Sequence, residues 1–337
     1  MVGEPIFKDK EKQEMKTMRT PSGKQPFSTK ATVLGLALLA AGVLSAGDLY
    51  VNVANAGKSG LDGSSPELAF ATIQEGVDAA AAGDTVHVAA GTYSEGGASN
   101  FVNIGTDRDS YGAARVNITN AITLISDEGA ANTVILGAWD PSSTVNVGLG
   151  DAAIRCVRVS DVSAVVKGFM LRNGASTYTL TGTTVVDYDC NRGGGVLATA
   201  CTSSTLAYST KPLFVDCVIE NCSAGRGGGA SGGSFVRCVF RNNWCSEGAN
   251  DLRGANAYFC TMSGANCAKA KTSSYASSVF HGTCVNCTFL GVGYVVQGGP
   301  TMRNCLSIGT VKGIVSGTFT GTMKNCSLDI DMTGDEK

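Results

Sequence analysis

The strongest regularity in the chain is an alternation of apolar and polar positions that breaks at the same place in each repetition. Leu213-Phe214-Val215-Asp216-Cys217-Val218-Ile219-Glu220-Asn221 returns 21 residues later as Ser234-Phe235-Val236-Arg237-Cys238-Val239-Phe240-Arg241-Asn242. Side chains on a strand alternate faces, so Phe214 and Cys217, three apart, can share one core only if the chain turns a corner between them. A period near 20 residues built from short strands and corners predicts a solenoid in which each copy is one coil.

Extending the alignment puts Phe169, Cys217, Cys238, Cys260, Cys287, Cys305 and Cys326 in one inward column, with steps of 21, 22, 27, 18 and 21 from Cys217 onward. Two positions later come Leu171, Ile219, Phe240, Met262, Phe289, Ser307 and Leu328. Three positions earlier come Val166, Phe214, Phe235, Ala257, Cys284, Met302 and Met323. Polar residues fall at the corner (Asp216, Arg237, Asn286, Arg303, Asn304, Lys324, Asn325), as an outward bend in water requires. Asn173, Asn221 and Asn242 mark a second bend, because asparagine tolerates left-handed backbone angles, and they predict an Asn ladder. Upstream, 121–125, 133–137 and 165–173 carry strand signals bounded by Gly, Asn or Asp.

The N-terminal part has a different rhythm. Residues 49–53 read as a strand and 54–64 as a Gly-rich loop. Residues 66–82 read as a helix with Phe70, Ile73, Val77, Ala80 and Ala81 on one face, stopped by Gly83. A strand at 84–88 and a turn at Gly91-Thr92-Tyr93 follow. This order, with Phe-Ala-Thr-Ile-Gln at 70–74, Gly83-Asp84-Thr85-Val86 and Gly91-Thr92-Tyr93-Ser94-Glu95, resembles the opening of right-handed parallel β-helix proteins of the pectin-lyase-like superfamily. The resemblance implies an all-β fold, a right-handed parallel β-helix whose amphipathic helix plugs the first coil. The expected organisation is a polar leader and signal peptide at 1–46, the strand, capping helix and first coil at 47–95, and coils over 96–337 with an insertion at about 174–211.

Residues 31–46 are uncharged, follow a Lys-rich leader and end in Ser45-Ala46-Gly47, the pattern of a secretory signal peptide cleaved near Ser45 or Ala46. Met15 or Met18 would give a more ordinary start, and an uncleaved signal anchor is the alternative. Either way the coils are exported. The coil edge after 328 is an expected place for self-association.

Composition narrows the partners. A net charge of -2 with 16% charged residues leaves no electrostatic footprint for nucleic acid. Thirteen cysteines in an exported chain suggest disulfides, and Cys190 with Cys201 or Cys245 with Cys267 could clip loops. The column is different. Parallel neighbours lie about 4.8 Å apart with parallel Cβ vectors, whereas a disulfide wants Cβ atoms about 3.8 Å apart and turned together, so the ladder reads as buried free thiols. Cys284-Val285-Asn286-Cys287 belongs to the inward columns rather than to a metal site, and no metal is expected.

Arg192-Gly193-Gly194-Gly195-Val196 and Arg226-Gly227-Gly228-Gly229-Ala230, with Phe240-Arg241-Asn242-Asn243, resemble the Gly-Gly-Ala and Phe-x-x-Asn motifs of polymorphic outer-membrane protein repeats, surface β-helices associated with adhesion. The superfamily resemblance also implies polysaccharide chemistry, with carboxylates as acid and base, Ca²⁺ entering only with lyase chemistry, and no other cofactor. The catalytic candidates are Asp187, Asp189, Glu220 and Arg241. Tyr178, Tyr188, Arg192 and Tyr208 in the long insertion, and Asp216, Arg226 and Arg237 near the repeats, are the ligand-binding candidates, since aromatic rings beside charges stack on and hydrogen-bond sugars. The motifs of polygalacturonases and pectate lyases are missing, and His87 and His281 stand in no catalytic constellation. The expected function is therefore a glycan-binding, adhesin-like or envelope structural protein at the cell surface, with a polysaccharide lyase or hydrolase as the alternative.

Overall fold

The computed structural model describes residues 46–97, 112–143, 148–177, 180–181, 184–185, 191–198, 212–246, 248–264, 277–310 and 313–330. They wind as a right-handed parallel β-helix with three faces. The first face stacks Asp48–Val51, Thr85–Val88, Thr123–Ser126, Val165–Lys167, Leu213–Val215 and Ser234–Val236. The second stacks Gly91–Tyr93, Thr133–Leu136, Met170–Arg172, Val218–Glu220, Val239–Arg241, Thr261–Ser263, Thr288–Leu290, Leu306–Ile308 and Ser327–Ile330. The third begins with Ala113–Ile118, Ile154–Val159, Val196–Ala198 and Ala230–Ser231. It merges with the first through the long strands Ala249–Tyr258 and Ser277–Val285. Val196–Ala198, within the expected insertion, is thus a rung of the third face.

The repeat maps onto this geometry as the pattern required. Phe214 pairs with Phe235 and Ile219 with Phe240 in register, and all four are fully buried. The Phe214 and Phe235 rings stack at 4.9 Å, and Phe240 meets Phe235 edge-on at 5.1 Å, arrangements that add to simple area burial. At the corner Asp216, Arg237, Phe259, Asn286, Asn304 and Asn325 all take left-handed φ of 51 to 56°. At the second bend Asn173, Asn221 and Asn242 do the same, with φ of 52 to 57°. There the ladder runs through the backbone, Asn173 N–H donating to Glu220 O and Asn221 N–H to Arg241 O, each at 3.2 Å. The side-chain amide bond joins the first corner instead, Asn304 Nδ2 to Asn286 Oδ1 at 3.1 Å.

The cysteine column is a buried file of free thiols from Cys217 to Cys305, with Cys326 half-exposed at its end. Each thiol donates to the carbonyl two residues before it, as from Cys217 to Val215 O at 3.3 Å and from Cys287 to Val285 O at 3.4 Å. From Cys217 to Cys305 each also reaches a carbonyl on the preceding coil, as from Cys238 to Phe214 O and from Cys287 to Ala257 O, both at 3.5 Å. A small apolar residue that also supplies a weak donor to corner carbonyls suits this position. Burial pushes the Cys238 thiol up. Cys190, Cys201 and Cys267, needed for the proposed loop clips, lie outside the described residues.

The helix is shorter than the sequence predicts, Ile73–Ala79 rather than 66–82. Phe70 is held extended, its N–H donating to Tyr50 O and its carbonyl accepting from Asn52 N–H, each at 2.8 Å. Only after it can Thr72 start the helix, through a reciprocal capping box with Glu75. Ile73, Val77 and Ala80 enter the core, while Ala81, beyond the helix end, is exposed. Gly76 is fixed by contact, since a Cβ there would lie 2.7 Å from Val51 and 3.0 Å from Val86. The signal-peptide segment lies outside the described residues, and no described helix is long and apolar enough to cross a membrane.

Candidate functional site

Glu220, Arg172 and Arg241 occupy equivalent rungs on three successive coils of the second face. Their outward side chains meet because strand register repeats every coil. Arg172 Nε donates to Glu220 Oε1 at 2.5 Å, and Arg241 Nε donates to Oε2. The Glu220 side chain is 8% exposed, against 39% and 43% for the two arginines. Burial pushes the Glu220 carboxyl up, but the two guanidinium bonds outweigh it and hold the group below the usual carboxylate range. The arrangement is therefore a nearly buried, ionised carboxylate clasped by two cations, not the independent solvated charges of a surface ladder. Its net charge of about +1 faces solvent through the guanidiniums. Arg172 Nη2 lies 2.7 Å from Met170 Sδ. Arg241 uses only Nε, leaving its terminal amino groups without a partner among the described residues.

Beside this group stands Trp139, which the sequence reading passed over. Its indole N–H donates at 3.2 Å to Asn221 O, the carbonyl that follows Glu220, and its side chain is among the exposed large hydrophobics at 42%. The ring is set by a short excursion after Thr133–Leu136. Ala138 and Ile154 exchange backbone bonds at 2.8 and 2.9 Å, and Asp140 N–H donates to Gly148 O at 2.8 Å. Gly148, with φ +70°, lies against the ring so closely that a Cβ there would collide with it. Asp140 ties the excursion by accepting from Ser142 N–H at 2.8 Å and Ala152 N–H at 3.1 Å, and the Ser142 bonds hold its carboxyl below the ordinary range. An exposed indole anchored on the residue that follows the clasped carboxylate offers a stacking surface on the same segment as the arginine row. A tryptophan isolated from the repeat has no periodic signal, so only its exposure reveals it.

The other candidates are dispersed. Asp216 and Arg237 form an exposed bidentate pair at 2.7 and 2.8 Å on the first corner. Arg192 and Arg226 share a rung at the Gly-rich bend, where their backbones bridge, and both are half-buried. Tyr178, Asp187, Tyr188, Asp189 and Tyr208 lie outside the described residues. His87 Nδ1 lies 2.8 Å from Asp127 and Nε2 3.5 Å from Asp48. Burial lowers His281, whose Nδ1 accepts from Gly299 N–H at 3.3 Å. Cys284 and Cys287 are core residues, and no cluster of three metal-ligating side chains occurs among the described residues.

No protein-family model matches the chain, and no curated protein matches it by sequence. Solved structures do. The pectin methylesterase PemA of Erwinia chrysanthemi aligns with a TM-score of 0.45 and 12% identity over 80% of this chain and 81% of its own. A pectin methylesterase of Aspergillus niger aligns at 0.39 and 16% over 86% and 87%, and an alginate lyase of Paenibacillus sp. str. FPU-7 at 0.39 and 10% over 84% and 97%. The right-handed parallel β-helix is read from the chain's own strand stacking. At these identities the likeness is one of architecture, and function has to be argued from the site.

Proposed function

We propose that this is an exported β-helix that binds carbohydrate at the outer surface of its second face, as an adhesin-like or envelope structural protein, without turning its ligand over. The observation that carries this reading is the double clasp on Glu220. A carboxylate held ionised by Arg172 and Arg241, with its side chain 8% exposed, has no proton to give as a general acid, and near-burial between two cations that hold it below the usual carboxylate range makes it a poor base. The same clasp fixes two guanidiniums on the rungs flanking Glu220, and the Trp139 indole is tied to the carbonyl of the next residue, Asn221. Such a pairing suits a saccharide bearing carboxylate or sulfate groups, the ring taking its apolar C–H face and Arg241 its anion. That several neighbours in fold act on pectin or alginate is compatible with a polysaccharide ligand and says nothing of turnover here.

The test is to incubate the protein with polygalacturonate, alginate, iota-carrageenan and dextran, measuring retention together with unsaturated and reducing-end products. Retention without product is expected. Product formation abolished by Glu220→Gln or Arg241→Gln would establish the lyase or hydrolase alternative instead.

A further inference from the structure

We infer that Phe259 is a second saccharide platform, at the corner between the first and second faces. This rests on the carbohydrate-binding reading above but on different residues. Phe259 stands in the corner column with Gly168, Asp216, Arg237, Asn286, Asn304 and Asn325, all with positive φ. A left-handed backbone crowds Cβ against the following carbonyl, which glycine escapes and asparagine tolerates, and a bulky side chain there is an outlier. Phe259 adopts φ +56° and is 60% exposed, the highest value among the large hydrophobic residues described. The position thus carries a backbone cost with no compensating burial. Its N–H donates to Val285 O at 2.9 Å, so the backbone is held by the next coil whatever side chain it bears.

The surroundings indicate what the ring meets. On the preceding coil the Arg237 guanidinium is fixed by two bonds to Asp216 at 2.7 and 2.8 Å. On the following coil the Asn286 amide accepts from Asn304 at 3.1 Å. Corner residues on adjacent coils are spaced by about 4.8 Å, the rise of a parallel ladder. An aromatic surface is therefore flanked on both sides by immobilised donors and acceptors. A pyranose, with an apolar C–H face and a hydroxyl rim, matches that disposition. An apolar peptide side chain would need a pocket, and the ring projects from the surface instead.

Phe259→Asn separates the roles, because asparagine already occupies this backbone conformation on three later coils. Affinity electrophoresis through gels containing polygalacturonate, iota-carrageenan or dextran is expected to show about tenfold weaker retention for Phe259→Asn, near wild-type retention for Phe259→Trp, and a thermal midpoint for Phe259→Asn at or above that of the wild type. Equal retention of Phe259→Asn and wild type, with Trp139→Ala impaired, would remove the corner platform and leave the second-face site standing. A lowered midpoint for Phe259→Asn would assign the ring to packing and overturn the inference. No retention of the wild type by any of the three polysaccharides would overturn both readings.

Discussion

The side-chain amide of Gln74 pairs with both backbone groups of Asn117. Oε1 accepts from Asn117 N–H at 2.7 Å, and Nε2 donates to Asn117 O at 3.2 Å. Asn117 lies in Ala113–Ile118, the edge strand of its sheet, so the glutamine stands where the next rung would be. A single side chain thereby satisfies one residue of an edge that could otherwise recruit another chain. Gln74→Ala should cost about 1–2 kcal/mol, two modest hydrogen bonds. The expected outcome is faster amide exchange at Asn117 and greater self-association by light scattering, with the coils after residue 212 unaffected.

Asp251 gives a pH signature. Its carboxyl is buried, accepts from Asn243 Nδ2 at 3.0 Å and from the Ser278 hydroxyl, and is raised by burial to about 6. A carboxyl raised in the folded state stabilises the protein fully below its unfolded value near 3.8, and that contribution is lost as pH rises through about 6. Two units correspond to about 3 kcal/mol. Glu220 works in the opposite sense. Being depressed, it contributes above its unfolded value, and the contribution is lost as pH falls through its lowered folded value. From these two groups, wild-type stability should therefore peak between their unfolded values of 3.8 and 4.5 and decline toward pH 6. In denaturant titrations Asp251→Asn should be the more stable protein at pH 7 and converge with the wild type toward pH 4.

Much of this architecture was legible in the chain, and the limits have physical causes. The three-residue step from Phe214 to Cys217 fixed a corner, and the recurring asparagines of the second bend foretold left-handed backbone at Asn173, Asn221 and Asn242. The helix length misled because the apolar spacing at Phe70 and Ile73 cannot show that Phe70 is already paired with Tyr50. At the candidate site the equivalence of Glu220 and Arg241 was visible from the repeat. So was the matching place of Arg172 one coil earlier, but the near-burial of Glu220 was not, because its shielding is tertiary. Trp139 lies outside the repeat, so periodicity gave no reason to select it, whereas Phe259 falls in the corner column and only its exposure marks it out.

The thiol file has its own test. Mass-spectrometric mapping after brief maleimide labelling of the native protein should find Cys326 modified ahead of Cys217, Cys238, Cys260, Cys287 and Cys305, which are at most 2% exposed. All should react after unfolding in guanidinium. Disulfides linking column members would contradict both the ladder geometry and the corner hydrogen bonds.

The central claim is that Trp139 and the Glu220-clasped arginines form one recognition surface. The most direct measurement is the affinity of the wild type for polygalacturonate or iota-carrageenan fragments by calorimetry, beside Trp139→Ala, Gly148→Ala and Arg241→Gln. Each variant should bind about tenfold more weakly, about 1.4 kcal/mol, Gly148→Ala because its added methyl displaces the Trp139 ring. Unchanged affinity in Trp139→Ala and Arg241→Gln, or release of cleaved fragments by the wild type, would contradict the account.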